Sequence, residues 1–262
     1  IRFGFETAWQ ELMGWCDYPS RFDTGEQPIT INGLVWMGDK ATMLRRIEEK
    51  LQAGFRCVKL KIGAIDFDAE LDLLRMVRSC FSRNEIELRV DANGAFMPDE
   101  AMSKLDALAR YDLHSIEQPI KVGQWEAMAR LCNNTPIPIA LDEELVACRC
   151  VTPAHVAAML DTIRPQYIVM KPSLTGGLSG TDCWRHAANE RGIGWWITSA
   201  LESNVGLAAI ARYTAALSVE MPQGLGTGAL YTNNIPSPLV QAGELLSYNV
   251  SSEWQYPTLT WR

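Results

Sequence analysis

Residues 57–63 read CVKLKIG, and this stretch decides how the rest of the chain is interpreted. It is a short β-rich run, and side chains two positions apart in a strand share a face, so Lys59 and Lys61 point together. Helical patterns flank it at 39–53 and 66–79, each beginning with an Asp and carrying apolar residues at helical spacing. CVKLKIG is therefore expected to be one strand in an alternating β/α chain.

The same alternation continues along the chain, with further amphipathic stretches such as 98–109. The predicted strands are 29–37, 57–62, 86–91, 113–117, 137–142, 167–171 and 194–199. Strands that start about 25 to 30 residues apart, with helices between them, are typical of a parallel sheet, and seven or eight such units close a barrel. None of the strand ends carries the GxGxxG turn of a Rossmann fold. We therefore predict an α/β protein with a TIM-type parallel barrel.

The chain is predicted to have three parts. Residues 1–28 form a helix and connector, 29–240 form the catalytic barrel, and 241–262 form a C-terminal segment. No low-complexity linker separates them.

Composition limits the classes of function. The 262 residues are 47% hydrophobic and 21% charged, which suits one large domain. A net charge of -7 without a Lys/Arg run argues against nucleic acid or a membrane surface as partner and favours a small molecule. No apolar run reaches the roughly 18 to 20 residues that span a bilayer. Seven scattered cysteines suit reduced thiols, so we expect a soluble, cytoplasmic protein. The sequence predicts no particular oligomeric state.

Charged residues occupy the predicted strand ends. Lys61, Asp91, Glu117, Asp142 and Lys171 follow one another at intervals of 25 to 30 residues, which is one βα unit each. Catalytic groups of such barrels come from the carboxyl ends of different strands. The barrel mouth is therefore predicted to hold three carboxylates with lysines on both sides.

Three converging carboxylates repel one another unless a cation lies among them. Oxygen ligands suit Mg²⁺, with Mn²⁺ as a substitute, whereas zinc prefers His or Cys. Burial, mutual repulsion and a nearby metal disfavour the ammonium form of a lysine pair, so one lysine becomes a general base. Lys61 is the better candidate, and Lys171 is a second acid or base, or a fixed positive charge. These groups predict proton abstraction next to a carboxylate. Asn93, on the face of Asp91, and Glu143, just after Asp142, are weaker candidates for supporting the site.

The series K-x-K, D-x-N, E, D and K on successive strands resembles the enolase superfamily, muconate-lactonizing subgroup, over roughly residues 29–240. The resemblance implies a modified (β/α)7β barrel with Mg²⁺ ligands at Asp91, Glu117 and Asp142. It also implies bases at Lys61 and Lys171, with Lys59 tuning Lys61.

Within the subgroup, NGLVWMG on the first strand, TSALESNVGL (198–207) and GLGTGALYTNNIPSPL (224–239) are similar to the o-succinylbenzoate synthases of menaquinone (vitamin K2) biosynthesis. Gly226-Thr227-Gly228 stands on the predicted eighth strand, where dipeptide epimerases typically have Asp-x-Asp, which disfavours an amino-acyl substrate.

The resemblance implies a Mg²⁺-dependent syn dehydration of 2-succinyl-6-hydroxy-2,4-cyclohexadiene-1-carboxylate through a metal-stabilised enediolate. Lys61 would take the α-proton and protonate the departing hydroxyl, and Lys171 would stabilise the enediolate. Weaker candidates for contacting the substrate are Ser199, Glu202, Ser203, Gly226 and Gly228.

Alternatives stay open at this stage. The same residues serve an N-acylamino-acid racemase, a dipeptide epimerase or a muconate cycloisomerase. A Schiff-base aldolase would use Lys171, and a degenerate barrel would be a non-catalytic Mg²⁺-dependent binding protein. Family members carry an α+β capping domain before the barrel. Nothing in this sequence, which starts at Ile1, corresponds to it, so we expect this chain to lack that domain.

Overall fold

A computed structural model of the chain describes residues 1–256, so residues 257–262 of the predicted C-terminal segment lie outside the described part. The strands are β1 (Ile29–Thr30), β2 (Gly33–Val35), β3 (Cys57–Lys61), β4 (Glu87–Asp91), β5 (Ser115–Glu117), β6 (Ile139–Leu141), β7 (Tyr167–Met170), β8 (Gly194–Ile197), β9 (Leu239–Ala242) and β10 (Leu245–Tyr248). The helices are α1 (Arg2–Leu12), α2 (Lys40–Gln52), α3 (Phe67–Cys80), α4 (Ala101–Leu108), α5 (Trp125–Asn134), α6 (Glu143–Ala147), α7 (Pro153–Ile163), α8 (Gly177–Glu190) and α9 (Asn204–Ala216). Short 3₁₀ helices follow at Ala109–Tyr111 and Gly226–Leu230.

Strands β2 to β8 form one parallel sheet in chain order. A short extended segment closes it, because Gly224 N–H donates to the Ile197 carbonyl at 2.8 Å while Asn32 N–H donates to the Gln223 carbonyl at 2.9 Å. One crossover helix or helix pair follows each strand of this sheet in the described chain. The predicted modified parallel barrel is therefore confirmed.

Two local predictions were wrong. The run 29–37 is not one strand: β1 pairs antiparallel with β10 in a separate three-stranded sheet, and β2 alone joins the barrel. The chain changes partners at Ile31, whose N–H donates to the Glu244 carbonyl at 2.7 Å. Gly226–Leu230 is a 3₁₀ helix after the closing segment rather than part of an eighth strand.

Helix starts follow from local chemistry. Asp39 accepts the N–H of Thr42 at the start of α2, and Asp66 accepts those of Asp68 and Ala69 at the start of α3. These side chains satisfy N–H groups that have no partner inside the helix. The aspartates that predicted both helix starts therefore act as caps.

The core lies between the sheet and its helices. Val58, Val90, Ile116 and Ile168 on the strands have no exposed surface. Each fully buried aliphatic side chain of this kind contributes about 1.5 to 3 kcal/mol. This burial fixes the strand ends, and with them the polar side chains at the mouth.

Two further features agree with the composition. All seven cysteines carry free thiols. None of the helices within residues 1–256 is long and apolar enough to cross a membrane.

Candidate active site

Three carboxylates meet at the mouth of the barrel. Asp91 ends β4, Glu117 ends β5 and Asp142 directly follows β6. One oxygen from each lies within 4.8 Å of the others. Their exposed fractions are 0%, 0% and 1%, respectively. Parallel pairing of successive strands brings these residues together, because each strand ends at the same edge of the sheet.

Lysines lie on both sides of this carboxylate cluster. From β3, Lys59 Nζ donates to Glu117 Oε2 at 2.7 Å and Oε1 at 2.9 Å. Lys61 Nζ donates to Asp91 Oδ2 at 2.5 Å. On the other side, just after β7, Lys171 Nζ donates to both oxygens of Asp142 at 2.6 Å. All six predicted groups are therefore adjacent in space.

Burial and mutual repulsion make it unfavourable for all three carboxylates to be ionised at once. Burial, together with the charges of Asp91 and Asp142, raises the pKa of Glu117 to about 8 despite its contact with Lys59. Burial also opposes ionisation of Asp91, but Lys59 and Lys61 outweigh it and lower the pKa of Asp91 to about 2. Asp91 is therefore ionised more readily than its neighbour Glu117.

The state of Lys59 differs from the expectation for a buried lysine pair. Burial by itself disfavours the ammonium form, but the charges of Glu117, Asp91 and Asp142 outweigh it and raise the pKa of Lys59 well above its usual value. A metal ion bound by the three carboxylates would offset their negative charge. Without that charge, Lys59 is an ammonium that pairs with Glu117.

Two residues with left-handed backbone form hydrogen bonds beside the carboxylate cluster. Asn93 has φ +46°, and its N–H donates to Asp91 Oδ1 at 3.1 Å. Gln118 has φ +38°, and its Oε1 accepts the N–H groups of Asp142 at 3.3 Å and Glu144 at 3.4 Å. Gln118 is fully buried and therefore links the loops after β5 and β6. Nothing in the sequence around Gln118 predicted this role.

The cluster fits a divalent cation. It offers carboxylate oxygens, which hard ions such as Mg²⁺ and Ca²⁺ prefer. The cluster is buried, and a nearby positive charge would favour the ionised form of Glu117, whose pKa burial raises. The three carboxylates are therefore a candidate site for a divalent metal ion.

A cavity of about 220 Å³ opens beside the cluster. Predicted residues in its wall include Lys59, Lys61, Lys171, Ser199 and Gly226. Apolar side chains join them from both sides of the barrel closure. These are Leu34, Trp36, Ala200 and Leu201.

Three weaker candidates lie outside this wall. Glu202 accepts a hydrogen bond from Ser173. Ser203 is the exposed N-cap residue of α9, and Gly228 packs next to Leu207. The chain turns into α9 and the 3₁₀ helix at these positions, and contact of the three residues with the substrate stays a prediction. Asn93 and Glu143 are hydrogen-bonded to each other at 2.7 Å.

Sequence reasoning missed part of the wall. Leu34 of β2 and the residues that flank this strand, Asn32 and Trp36, alternate in sequence and all line the cavity. Their period of two was a usable signal, since side chains at i, i+2 and i+4 share a face. Thr227 was passed over in favour of its flanking glycines, yet its hydroxyl is 2.6 Å from that of Ser199.

Residues 42–242 match the family model of enolase C-terminal domain-like proteins. The chain belongs to this family. It is 54% identical over 251 residues to o-succinylbenzoate synthase of Desulfotalea psychrophila, covering 94% of this chain and 67% of that protein.

Two solved structures have a similar fold to this chain. The crystal structure of MenC from Desulfotalea psychrophila is 55% identical, with a TM-score of 0.81 over 88% of this chain and 63% of that one. Muconate lactonizing enzyme from Pseudomonas putida is 22% identical, with a TM-score of 0.74 over 85% of this chain and 61% of that one, and shares the fold. The chain thus spans roughly two thirds of the length of these relatives.

Proposed function

We propose that this enolase-family chain is the catalytic barrel of an o-succinylbenzoate synthase, a carbon-oxygen lyase of menaquinone biosynthesis in the cytoplasm. The observation that carries the proposal is the placement of Lys61 and Lys171 on opposite sides of the buried carboxylate cluster. The 54% identity to a synthase supports the choice of reaction.

Asp91, Glu117 and Asp142 would hold Mg²⁺, with Mn²⁺ as a substitute. When bound, the cation supplies positive charge that offsets the negative charge developing on the substrate carboxylate as its α-proton leaves. Asp91 and Asp142 line the same cavity as Lys61 and Lys171, so an acid bound there would lie within reach of both lysines.

Lys61 Nζ accepts the α-proton of 2-succinyl-6-hydroxy-2,4-cyclohexadiene-1-carboxylate. It then returns a proton to the C6 hydroxyl on the same face, so the carbon-oxygen bond breaks and water leaves. A new double bond completes the aromatic ring of o-succinylbenzoate. Lys171 keeps its ammonium charge beside the developing anion and stabilises it.

The remaining wall suits the rest of this substrate. Leu34, Trp36 and Leu201 present apolar surface to a hydrocarbon ring. Ser199 and Thr227 present hydroxyl groups, and Gly226 leaves room for a ligand to approach the backbone. We assign the succinyl arm to this second group because its carbonyl and carboxylate oxygens require hydrogen-bond donors.

The assignment of Lys61 is tested by Lys61→Ala. Turnover of the hydroxy acid should fall by at least about 1000-fold, since the group that transfers the proton is lost, while Mg²⁺ affinity stays within about threefold. Lys40→Ala is the matched control, because Lys40 pairs with Asp72 on the exposed surface. Turnover by Lys61→Ala at the rate of the control would contradict the mechanism.

An N-acylamino-acid racemase is the second candidate, because lysines on two opposite sides of one carbon are what two-base racemisation requires. It predicts exchange of the α-proton of an N-succinylamino acid in D₂O. Exchange without turnover of the hydroxy acid would favour this candidate.

A further inference from the structure

Asn93 connects Lys61 to the far side of the barrel mouth. Its Oδ1 accepts from Lys61 Nζ at 2.8 Å, and its Nδ2 donates to Glu143 Oε1 at 2.7 Å. Lys61 ends β3, Asn93 follows β4 and Glu143 begins α6 after β6. The three side chains therefore form one hydrogen-bonded chain across three strand ends.

Glu143 determines which way the amide of Asn93 faces. The amide nitrogen of Asn93 donates to Glu143 Oε1, and a side-chain amide has one donor end and one acceptor end, so its oxygen is left for Lys61. The backbone of Asn93 is held as well, since its N–H donates to Asp91 Oδ1 at 3.1 Å. Its φ of +46° is a conformation that Asn tolerates better than most residues.

The two partners of Lys61 differ in kind. Asp91 carries a negative charge and is one of the proposed metal ligands. Its oxygens would therefore contact both the metal ion and Lys61. Asn93 lies outside that set and is neutral. A neutral acceptor orients an amine without adding a charge that favours the ammonium form. Asn93 is thus suited to hold Lys61 through the proton transfer.

We propose that Asn93 and Glu143 are positioning residues for Lys61: Glu143 fixes the amide of Asn93, and Asn93 aims Lys61 Nζ at the substrate. This inference rests on the proposed function, in which Lys61 moves the proton. It separates Glu143 from its neighbour Asp142, to which the metal is assigned.

The test is a double-mutant cycle. Asn93→Gly removes the amide while allowing the left-handed backbone, and Glu143→Leu removes the acceptor at similar size. Glu143→Gln keeps an acceptor oxygen for Asn93. Asn134→Gly is the control for lost amide contacts, since Asn134 Nδ2 donates to the Arg130 carbonyl at the end of α5. Each protein is assayed for kcat, KM and Mn²⁺ affinity by calorimetry.

Both Asn93→Gly and Glu143→Leu should lower kcat by about tenfold or more, the effect of losing one hydrogen bond to a charged group. KM and Mn²⁺ affinity should stay within about threefold. The double variant should be no slower than Asn93→Gly, because both residues act through one contact. Glu143→Gln should recover most of the rate lost in Glu143→Leu.

Losses that multiply in the double variant, or a fall in Mn²⁺ affinity that parallels kcat, would overturn the inference. An inactive wild-type protein would instead refute the proposed function. If the wild-type protein is inactive, a crystal structure of Glu143→Leu tests the inference without activity. In that structure the amide of Asn93 should turn away from Lys61. An unchanged Lys61 Nζ to Asn93 Oδ1 contact would overturn it.

Discussion

Lys59 stabilises the protein without its metal, and replacing it with methionine measures how much. Lys59 is 7% exposed and contacts Glu117 at 2.7 Å and 2.9 Å, with Asp91 at 3.5 Å. Methionine is of similar size but leaves Glu117 without its lysine partner, while Asp91 keeps its contact with Lys61. Removing one partner of a buried ion pair costs about 3 to 5 kcal/mol. At about 2 to 4 °C per kcal/mol for a large domain, Lys59→Met should lower the Tm of the chelated protein by roughly 6 to 20 °C.

The assay is thermal unfolding with a chelator and then with excess Mg²⁺. The ion should restore much of the lost Tm, because it supplies the charge that methionine removed. The loss should be larger at pH 9 than at pH 6, since a protonated Glu117 needs no cation and its pKa is already raised to about 8 by burial. Lys40→Met, which breaks an exposed ion pair of 2.8 Å, is the matched control and should change Tm little. A Lys59→Met loss no larger than that control would refute the reasoning.

Two further predictions concern the metal and the loop after β3. Because the pKa of Glu117 is raised to about 8, a metal ion must displace a proton from it below that pH. The apparent metal affinity should therefore fall by up to about tenfold per pH unit between pH 8 and pH 6. Calorimetric titrations that give the same affinity across this range would contradict the prediction. Gly63→Ala should destabilise the protein more than Gly192→Ala in urea unfolding. Both glycines have positive φ, but only at Gly63 would an added Cβ overlap that of Ala95. Equal losses would show that backbone strain alone acts.

The barrel and its mouth were predictable because they depend on repeating patterns. Lys61, Asp91, Glu117 and Asp142 recur once per βα unit, and parallel pairing converts that spacing into proximity. The burial that raises the pKa of Glu117 and the lysine contacts that lower that of Asp91 follow from the same register. The chemistry of the mouth was therefore readable before its distances were known.

Features that depend on distant or irregular segments were not predictable. The division of 29–37 into two strands is caused by β10, a partner more than 200 residues further along the chain. The local turns that hold Ser203 at the start of α9 and Gly228 in a 3₁₀ helix were not predicted either, and contact of these two residues with the substrate stays a prediction. The charge of Lys59 depends on three carboxylates acting together, which no single spacing expresses.

The most direct test of the proposed function is the loss of the cyclohexadiene absorbance of 2-succinyl-6-hydroxy-2,4-cyclohexadiene-1-carboxylate, measured with the full-length protein. The account predicts turnover at roughly 1 to 1000 per second with Mg²⁺, abolished by a chelator and restored by Mg²⁺ or Mn²⁺. Absence of turnover with either ion, in protein that binds Mg²⁺, would contradict the synthase assignment.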